Sequence, residues 1–207
     1  WGPDCLNRLN GIYAFAVWEE KKKRLFLARD RMGVKPLFYK IHNHGLIFAS
    51  EIKAMLSHPK ISARVDRQGL WELLYLSPNF ISGKSVFKDI LELEGGECLF
   101  FDKKGLKKRR YWSITAIPYF KGREYAIEKT SFLVSDAIKR QMVSDVPLCS
   151  LLSGGLDSSV VSAIASEEYR KAGKTLDTYS FEYEGNKENF KSTEFQPQGD
   201  DEFAKFA

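Results

Sequence analysis

The succession that most constrains this chain is an apolar run at residues 148–152, then Ser153-Gly154-Gly155, then a helical pattern over residues 160–168. A short apolar run closed by glycines suits a strand buried within a parallel sheet rather than one face of an open sheet. Residues 178–183 read as the next strand, so the segment predicts a β-loop-α-β unit with a right-handed crossover. Upstream, Val134, Ala137, Ile138 and Met142 share one helical face, and Ser144-Asp145-Val146-Pro147 leads from that helix into the run. Residues 200–207 begin one further helix.

The loop has the composition of an anion cradle. Gly154 and Gly155 let the backbone come close to a ligand, and several N–H groups converge where the next helix starts, so a pyrophosphate would lie on the positive end of its dipole. Ser153, Ser158 and Ser159 add hydroxyl donors, and Asp157, the one acidic group, would tolerate a phosphate if it held a bridging Mg²⁺. No Lys follows the glycines, which sets this loop apart from those that grip a terminal phosphate for γ-phosphoryl transfer. The bland alternative is a tight turn followed by an ordinary helix cap from Asp157 or a serine.

The first half has a different grain. Apolar segments at residues 12–18, 25–28, 36–39 and 46–49 alternate with charged or Gly-containing turns and predict an antiparallel sheet. In the first segment both parities are apolar, which calls for cover on both faces and hence a layered sandwich. Residues 51–57 and 66–76 read as helices, the second capped by Asp66 and carrying Leu70, Leu73 and Leu74 at helical spacing. Residues 97–101 and 106–112 form a closing hairpin. The period changes from two to about 3.6 around Pro118 and Gly122, which suggests a domain over 1–116, a linker at 117–124 and a second domain over 125–207.

Composition excludes several classes. With 43% hydrophobic residues the chain can bury a core, and it has no apolar run near the roughly 20 residues that span a bilayer. No signal-peptide pattern opens it, so a cytoplasmic protein without membrane partners is expected. The net charge of +5 gathers partly in Lys21-Lys22-Lys23-Arg24 and Lys107-Lys108-Arg109-Arg110. Both runs sit at hairpin ends or strand edges without interleaved aromatics, which argues for charge-protected edges and against nucleic acid. Cys5, Cys98 and Cys149 lack metal-site spacing and read as reduced packing residues.

Two sets of motifs point the same way. Ser144-Asp145-Val146-Pro147 followed by Leu151-Leu152-Ser153-Gly154-Gly155-Leu156-Asp157-Ser158-Ser159 resembles the entry to the synthetase domain of asparagine synthetases. Leu9-Asn10-Gly11-Ile12-Tyr13-Ala14-Phe15-Ala16, then Ala28-Arg29-Asp30-Arg31-Met32-Gly33-Val34-Lys35-Pro36-Leu37-Phe38-Tyr39 and Phe48-Ala49-Ser50-Glu51-Ile52-Lys53-Ala54, resemble the later strands of class II glutamine amidotransferase domains. The resemblance implies an α+β then α/β chain: part of an αββα amidotransferase sandwich followed by the start of a parallel-sheet adenine-nucleotide-binding synthetase domain. It implies ATP with Mg²⁺, aspartate, and glutamine or ammonia as small-molecule partners, and asparagine synthesis through β-aspartyl-AMP; a homodimer stays open. Leu152 and Phe181 would contact the adenosine, Ser153, Gly154, Gly155, Leu156, Asp157, Ser158 and Ser159 would hold the phosphates, and Asp157 the metal.

The resemblance also has gaps. The family's glutaminase uses an N-terminal cysteine, whose own α-amine can serve as base, whereas residue 1 here is Trp1 and Cys5 matches a segment inside the domain. No catalytic residue is therefore assigned, and the chain reads as an inactive piece of a longer ligase. A β-lactam synthetase-like or sugar-amidotransferase-like adenylating enzyme is the near rival, since the loop reports adenylation and not the acceptor. A non-catalytic nucleotide-binding or docking protein is the rival from another class.

Overall fold

A computed structural model of the chain describes residues 1–76, 83–182, 184–185 and 200–206. By compactness the chain divides into two units, Trp1–Ala116 and Ile117–Ala207.

In the first unit a 3-10 helix at Gly2–Asn7 precedes β1 (Ala14–Glu19), β2 (Arg24–Arg29), β3 (Phe38–His42), β4 (Gly45–Ala49), α1 (Ile52–Leu56) and α2 (Arg67–Tyr75). Strands β5 (Leu91–Glu92), β6 (Glu97–Asp102) and β7 (Gly105–Arg110) complete it. They form two antiparallel sheets, ordered β1-β2-β6-β7 and β4-β3-β5. Leu27 and Leu99, opposite each other on β2 and β6, join Leu37, Tyr39 and Leu93 in the core between the sheets. On the outer face of the first sheet, Phe26, Ala28 and Cys98 pack with Leu6 of the 3-10 helix. On the outer face of the second, Met55, Ile61 and Ile90 are buried with Ile47 and Ile52 against them. The expected sandwich is present, with helix, sheet, sheet and helix in successive layers.

Cover on both faces holds for β2, where Phe26, Leu27 and Ala28 are all buried, but not for β1. Among the described residues β1 pairs only with β2 and lies at the sheet edge, leaving Trp18 54% exposed. A second difference concerns α2. Asp66 caps it as expected, accepting the Gly69 N–H at 2.6 Å, yet Leu70, Leu73 and Leu74 face outward and the buried residues are Gly69 and Glu72. The reason is close packing: a Cβ on Gly69 would lie 2.4 Å from the Val86 carbonyl oxygen, so the helix presses its smallest side on the chain beneath. The basic runs take their expected places. Residues 21–24 turn the β1–β2 hairpin, and residues 107–110 line the edge strand β7, where Lys108 pairs with Glu97 at 3.0 Å. Cys98 is buried and Cys5 packs beside its cluster, whereas Cys149 is exposed rather than a packing residue.

The chain crosses from the first sheet to the second after β2, and Arg29 and Asp30 hold that crossing. Arg29 donates at 2.6 Å to each of the Lys35, Leu93 and Gly33 carbonyls and pairs with Glu92 at 2.8 Å. Asp30 accepts from the N–H groups of Met32 at 3.1 Å and of Val34 and Lys35 at 3.0 Å. The Tyr111 hydroxyl donates to the Arg29 carbonyl at 2.6 Å and meets the Tyr13 hydroxyl at 2.9 Å. Burial alone would raise the Asp30 pKa, but the donors of Lys35, Val34, Tyr13 and Met32 outweigh it and hold the carboxyl below its usual range.

Because the folded pKa is depressed, the stability Asp30 contributes is present above the unfolded value of about 4 and is lost as pH falls through the folded value. Asp30→Asn should therefore destabilise the first unit by roughly 2–3 kcal/mol at pH 7. In denaturant titrations followed by tryptophan fluorescence, the gap between wild type and variant should narrow below about pH 4; a gap that widens on acidification would contradict this account.

The second unit contains α3 (Arg123–Gln141), β8 (Cys149–Leu151), α4 (Leu156–Lys171), β9 (Asp177–Tyr179) and α5 (Asp200–Phe206). Strands β8 and β9 are parallel, with Ser150 opposite Thr178, and α4 connects them, as the β-loop-α-β reading requires. Burial is more selective than the apolar run suggested: Leu152 is buried, but Leu151 is 78% exposed because the described sheet has only these two strands. A buried hydrogen bond of 2.8 Å between Ser150 and Ser162 ties β8 to α4. Helix α3 buries no residue fully; Ile138 and Met142 face α4 and β8 across a small apolar hollow, and Lys139 pairs with Glu168 at 3.1 Å. The expected strand at 178–183 ends early at Tyr179, and Tyr183 lies outside the described residues. Among the described residues no helix is long and apolar enough to cross a membrane.

Candidate functional site

The site lies where β8 and β9 end and α4 begins. Two hydrogen bonds fix the strand ends: Leu152 N–H donates to the Tyr179 carbonyl at 2.8 Å, and the Ser180 hydroxyl donates to the Leu152 carbonyl at 2.6 Å. They set the point at which the chain leaves the sheet, and Leu152 stays buried there while Ser153 emerges into solvent.

From Ser153 the loop is shaped by its own side chains. The Ser158 hydroxyl donates to the Gly155 carbonyl at 3.0 Å, accepts the Ser153 N–H at 3.3 Å, and lies 3.0 Å from the Ser153 hydroxyl. The Ser153 oxygen in turn accepts the Gly155 N–H at 3.4 Å. Two of the three serines are thus engaged within the loop. Gly155 is the N-cap of α4, with no side-chain cap, so neither Asp157 nor a serine plays the ordinary capping part. The first-turn N–H groups of Leu156, Asp157 and Ser158 precede the helical ladder and find no acceptor among the described residues.

The glycines do different work. Gly154 has φ +82°, and a Cβ there would lie 2.5 Å from the backbone nitrogen of Ala204 and 2.6 Å from Cβ of Phe203. It is required by backbone conformation and by the approach of α5. Gly155 has an ordinary φ of −70°, and its Cβ would meet nothing nearer than the Ser153 hydroxyl at 3.5 Å. Among the described residues that ordinary van der Waals contact is the one a Cβ would make within 4 Å, so a side chain there would meet no steric block from them.

Beside the loop is a cleft of about 660 Å³ whose lining includes Leu152, Ser153 and Phe181. Those three expected residues are brought together, while Gly154, Gly155, Leu156, Asp157, Ser158 and Ser159 form the loop and the first turn of α4. Phe181 lies just past β9 and is largely exposed, as is Leu156. Ser180, Glu182, Ala204 and Lys205 also line the cleft and were not anticipated. Ser180 and Glu182 could have been found as neighbours of Phe181; nothing in the local pattern brings Lys205 to a loop about fifty residues earlier. Asp157 is exposed, and among the described residues no group of three or more His, Cys, Asp or Glu side chains could hold a metal. One carboxylate suits Mg²⁺ that arrives with phosphate oxygens and water as its remaining ligands.

The chain thus joins an antiparallel two-sheet sandwich to a parallel β-loop-α-β unit with a glycine loop at its strand ends. Residues 1–112 match the glutamine amidotransferase domain model, and residues 130–204 match the asparagine synthase model. The chain belongs to the glutamine-hydrolysing asparagine synthetase family. It is 48% identical over 201 residues to asparagine synthetase [glutamine-hydrolyzing] 3 of Bacillus subtilis (strain 168), covering 97% of this chain and 33% of that protein. It is 36% identical over 187 residues to a putative asparagine synthetase [glutamine-hydrolyzing] 2 of Methanocaldococcus jannaschii, covering 89% of this chain and 36% of that protein. The chain therefore spans about a third of the length of these curated relatives. A solved glutamine phosphoribosylpyrophosphate amidotransferase from Bacillus subtilis covers 93% of this chain and 38% of its own, at 14% identity and a TM-score of 0.35, too low to bear on function.

The two glycines should separate experimentally. Gly154→Ala should raise deuterium uptake across residues 153–158 and 200–206 and destabilise the loop by about 1–2 kcal/mol, the cost of a left-handed residue with a side chain. Gly155→Ala should leave uptake unchanged. Equal effects would show that α5 does not lean on Gly154.

Proposed function

We propose that this chain carries the pyrophosphate end of an ATP site in an enzyme that makes asparagine from aspartate, with nitrogen from glutamine or ammonia. The observation that carries the reading is the uncrowded Gly155 beside N–H groups at the start of α4, a helix of 16 residues, that find no acceptor among the described residues. Backbone donors so placed recognise a polyphosphate without any side-chain charge. Leu152 and Phe181 would flank the adenosine in the adjoining cleft, residues 153–159 would hold the phosphates, and Asp157 would take Mg²⁺ bound to them.

The chemistry this arrangement serves is adenylation. The aspartate β-carboxylate attacks the α-phosphorus of ATP, and pyrophosphate leaves with the electrons of the broken P–O bond. Ammonia then displaces AMP from the mixed anhydride. Loop N–H groups that bind the departing pyrophosphate more tightly than the bridging phosphates would accelerate the first step, and Mg²⁺ when bound would neutralise the charge that develops there. The lack of Lys after the glycines agrees with cleavage at the α-phosphorus rather than transfer of the γ-phosphoryl group. We place this activity in the cytoplasm and assign residues 117–124 to the connection between the two domains, of which Arg123 and Glu124 already belong to α3.

In the full-length protein Gly155→Val should reduce magnesium pyrophosphate binding, measured by calorimetry, by roughly a hundredfold or more, since a branched side chain would fill the cradle and block several charge-assisted hydrogen bonds. Its melting temperature should stay close to wild type, because Gly155 needs no special backbone conformation. Unchanged pyrophosphate affinity would remove the loop from the site. Isotope exchange between ATP and pyrophosphate should depend on aspartate; exchange with a different carboxylate alone would favour another adenylating amidotransferase.

A further inference from the structure

Residues 153–159 contain no basic side chain, and their one acidic residue is Asp157. A nucleotide polyphosphate would therefore meet backbone dipoles and one like charge in the loop itself. The second unit brings a positive group to the same place from a distant part of the chain. Helix α5 lies against the loop so closely that Gly154 has no room for a Cβ, with Ala204 N only 2.5 Å from where it would sit. Next to Ala204 is Lys205, which is exposed and lines the cleft together with Leu152, Ser153 and Phe181.

We propose that Lys205 is a phosphate-binding residue of this site, supplying from α5 the positive charge that the loop lacks. The proposal rests on the reading of the loop as a pyrophosphate cradle and adds a residue to it. The alternative is that Lys205 serves only contacts within the unit, among them the C-terminal dipole of α5, where a basic residue in the last turn is ordinary. Two observations favour the ligand. The backbone of α5 approaches the loop closely at Gly154, which places Lys205 next to the residue in closest approach. The cleft that it lines is also the one that contains the buried strand end at Leu152. Lysine acts on phosphate as a point charge on a flexible stem, so an exposed position at a cleft rim is compatible with the role.

The test uses the full-length protein with magnesium pyrophosphate and, separately, adenosine as calorimetric probes, in wild type, Lys205→Met, Lys205→Arg and Gly155→Val. Lys205→Met should weaken pyrophosphate binding roughly ten- to hundredfold, the range for a hydrogen bond to a charged group, and should flatten its dependence on salt. Adenosine binding should be unchanged, and Lys205→Arg should restore most of the pyrophosphate affinity. If Gly155→Val abolishes pyrophosphate binding while Lys205→Met leaves it intact, the lysine is overturned and the loop stands. Equal loss of adenosine and pyrophosphate in Lys205→Met would mark a merely structural role and also overturn it. No pyrophosphate binding in wild type would overturn both readings together.

Discussion

Wherever this chain leaves a sheet it must satisfy backbone N–H and C=O groups that the ladder no longer serves, and both units are organised by how it does so. At the crossing between the two antiparallel sheets, adjacent side chains of opposite charge divide the task. Asp30 gathers N–H groups from Met32, Val34 and Lys35, while Arg29 gathers carbonyls from Gly33, Lys35 and Leu93. Leu93 lies beyond the end of β5, so Arg29 also ties together the two places at which the chain passes between sheets. The core of Leu27, Leu37, Tyr39, Leu93 and Leu99 is framed by these connections.

The second unit solves the same problem with hydroxyls. Ser180 serves the Leu152 carbonyl, and Ser153 and Ser158 serve one another and the Gly155 backbone. What they leave without an acceptor among the described residues is the set of N–H groups of Leu156, Asp157 and Ser158 in the first turn of α4. In the first unit Arg29 and Asp30 satisfy six backbone groups around a crossing. Around the glycines incomplete satisfaction would suit an anion, as the proposed reading of the loop requires, because a donor with no internal acceptor gains most from an external one. The serines hold the loop's shape, and under the proposed reading they would keep the N–H groups oriented before any phosphate arrives.

The difference between Gly154 and Gly155 shows how far a motif can be read as a string. Side by side in sequence, they look like a single permissive hinge. In the structure one is required by the left-handed backbone and by a helix about fifty residues later in the chain, and the other keeps ordinary torsions with no steric demand from the described residues. Only the second has the properties of a ligand-facing glycine. Helix α2 makes a similar point, since Leu70, Leu73 and Leu74 have the spacing of a buried face, yet Gly69 and Glu72 are the residues inside. Spacing identifies which residues share a side of a helix, and close backbone approach decided which side was inward.

By itself the sequence determined the alternation of short strands in the first half, the hairpins at both basic runs, the Asp66 cap, and a strand, glycine loop and helix in the second half. These depend on local propensity, periodicity and turn chemistry, all of which act over a few residues. Tertiary structure decided what depends on contacts between distant segments: β1 lies at an edge and leaves Trp18 exposed, Leu151 faces solvent beside buried Leu152, and Arg29 reaches the Leu93 carbonyl. It also decided that α5 returns to the loop with Lys205 beside it. No local pattern specifies such a meeting, because it depends on where the whole chain has already packed.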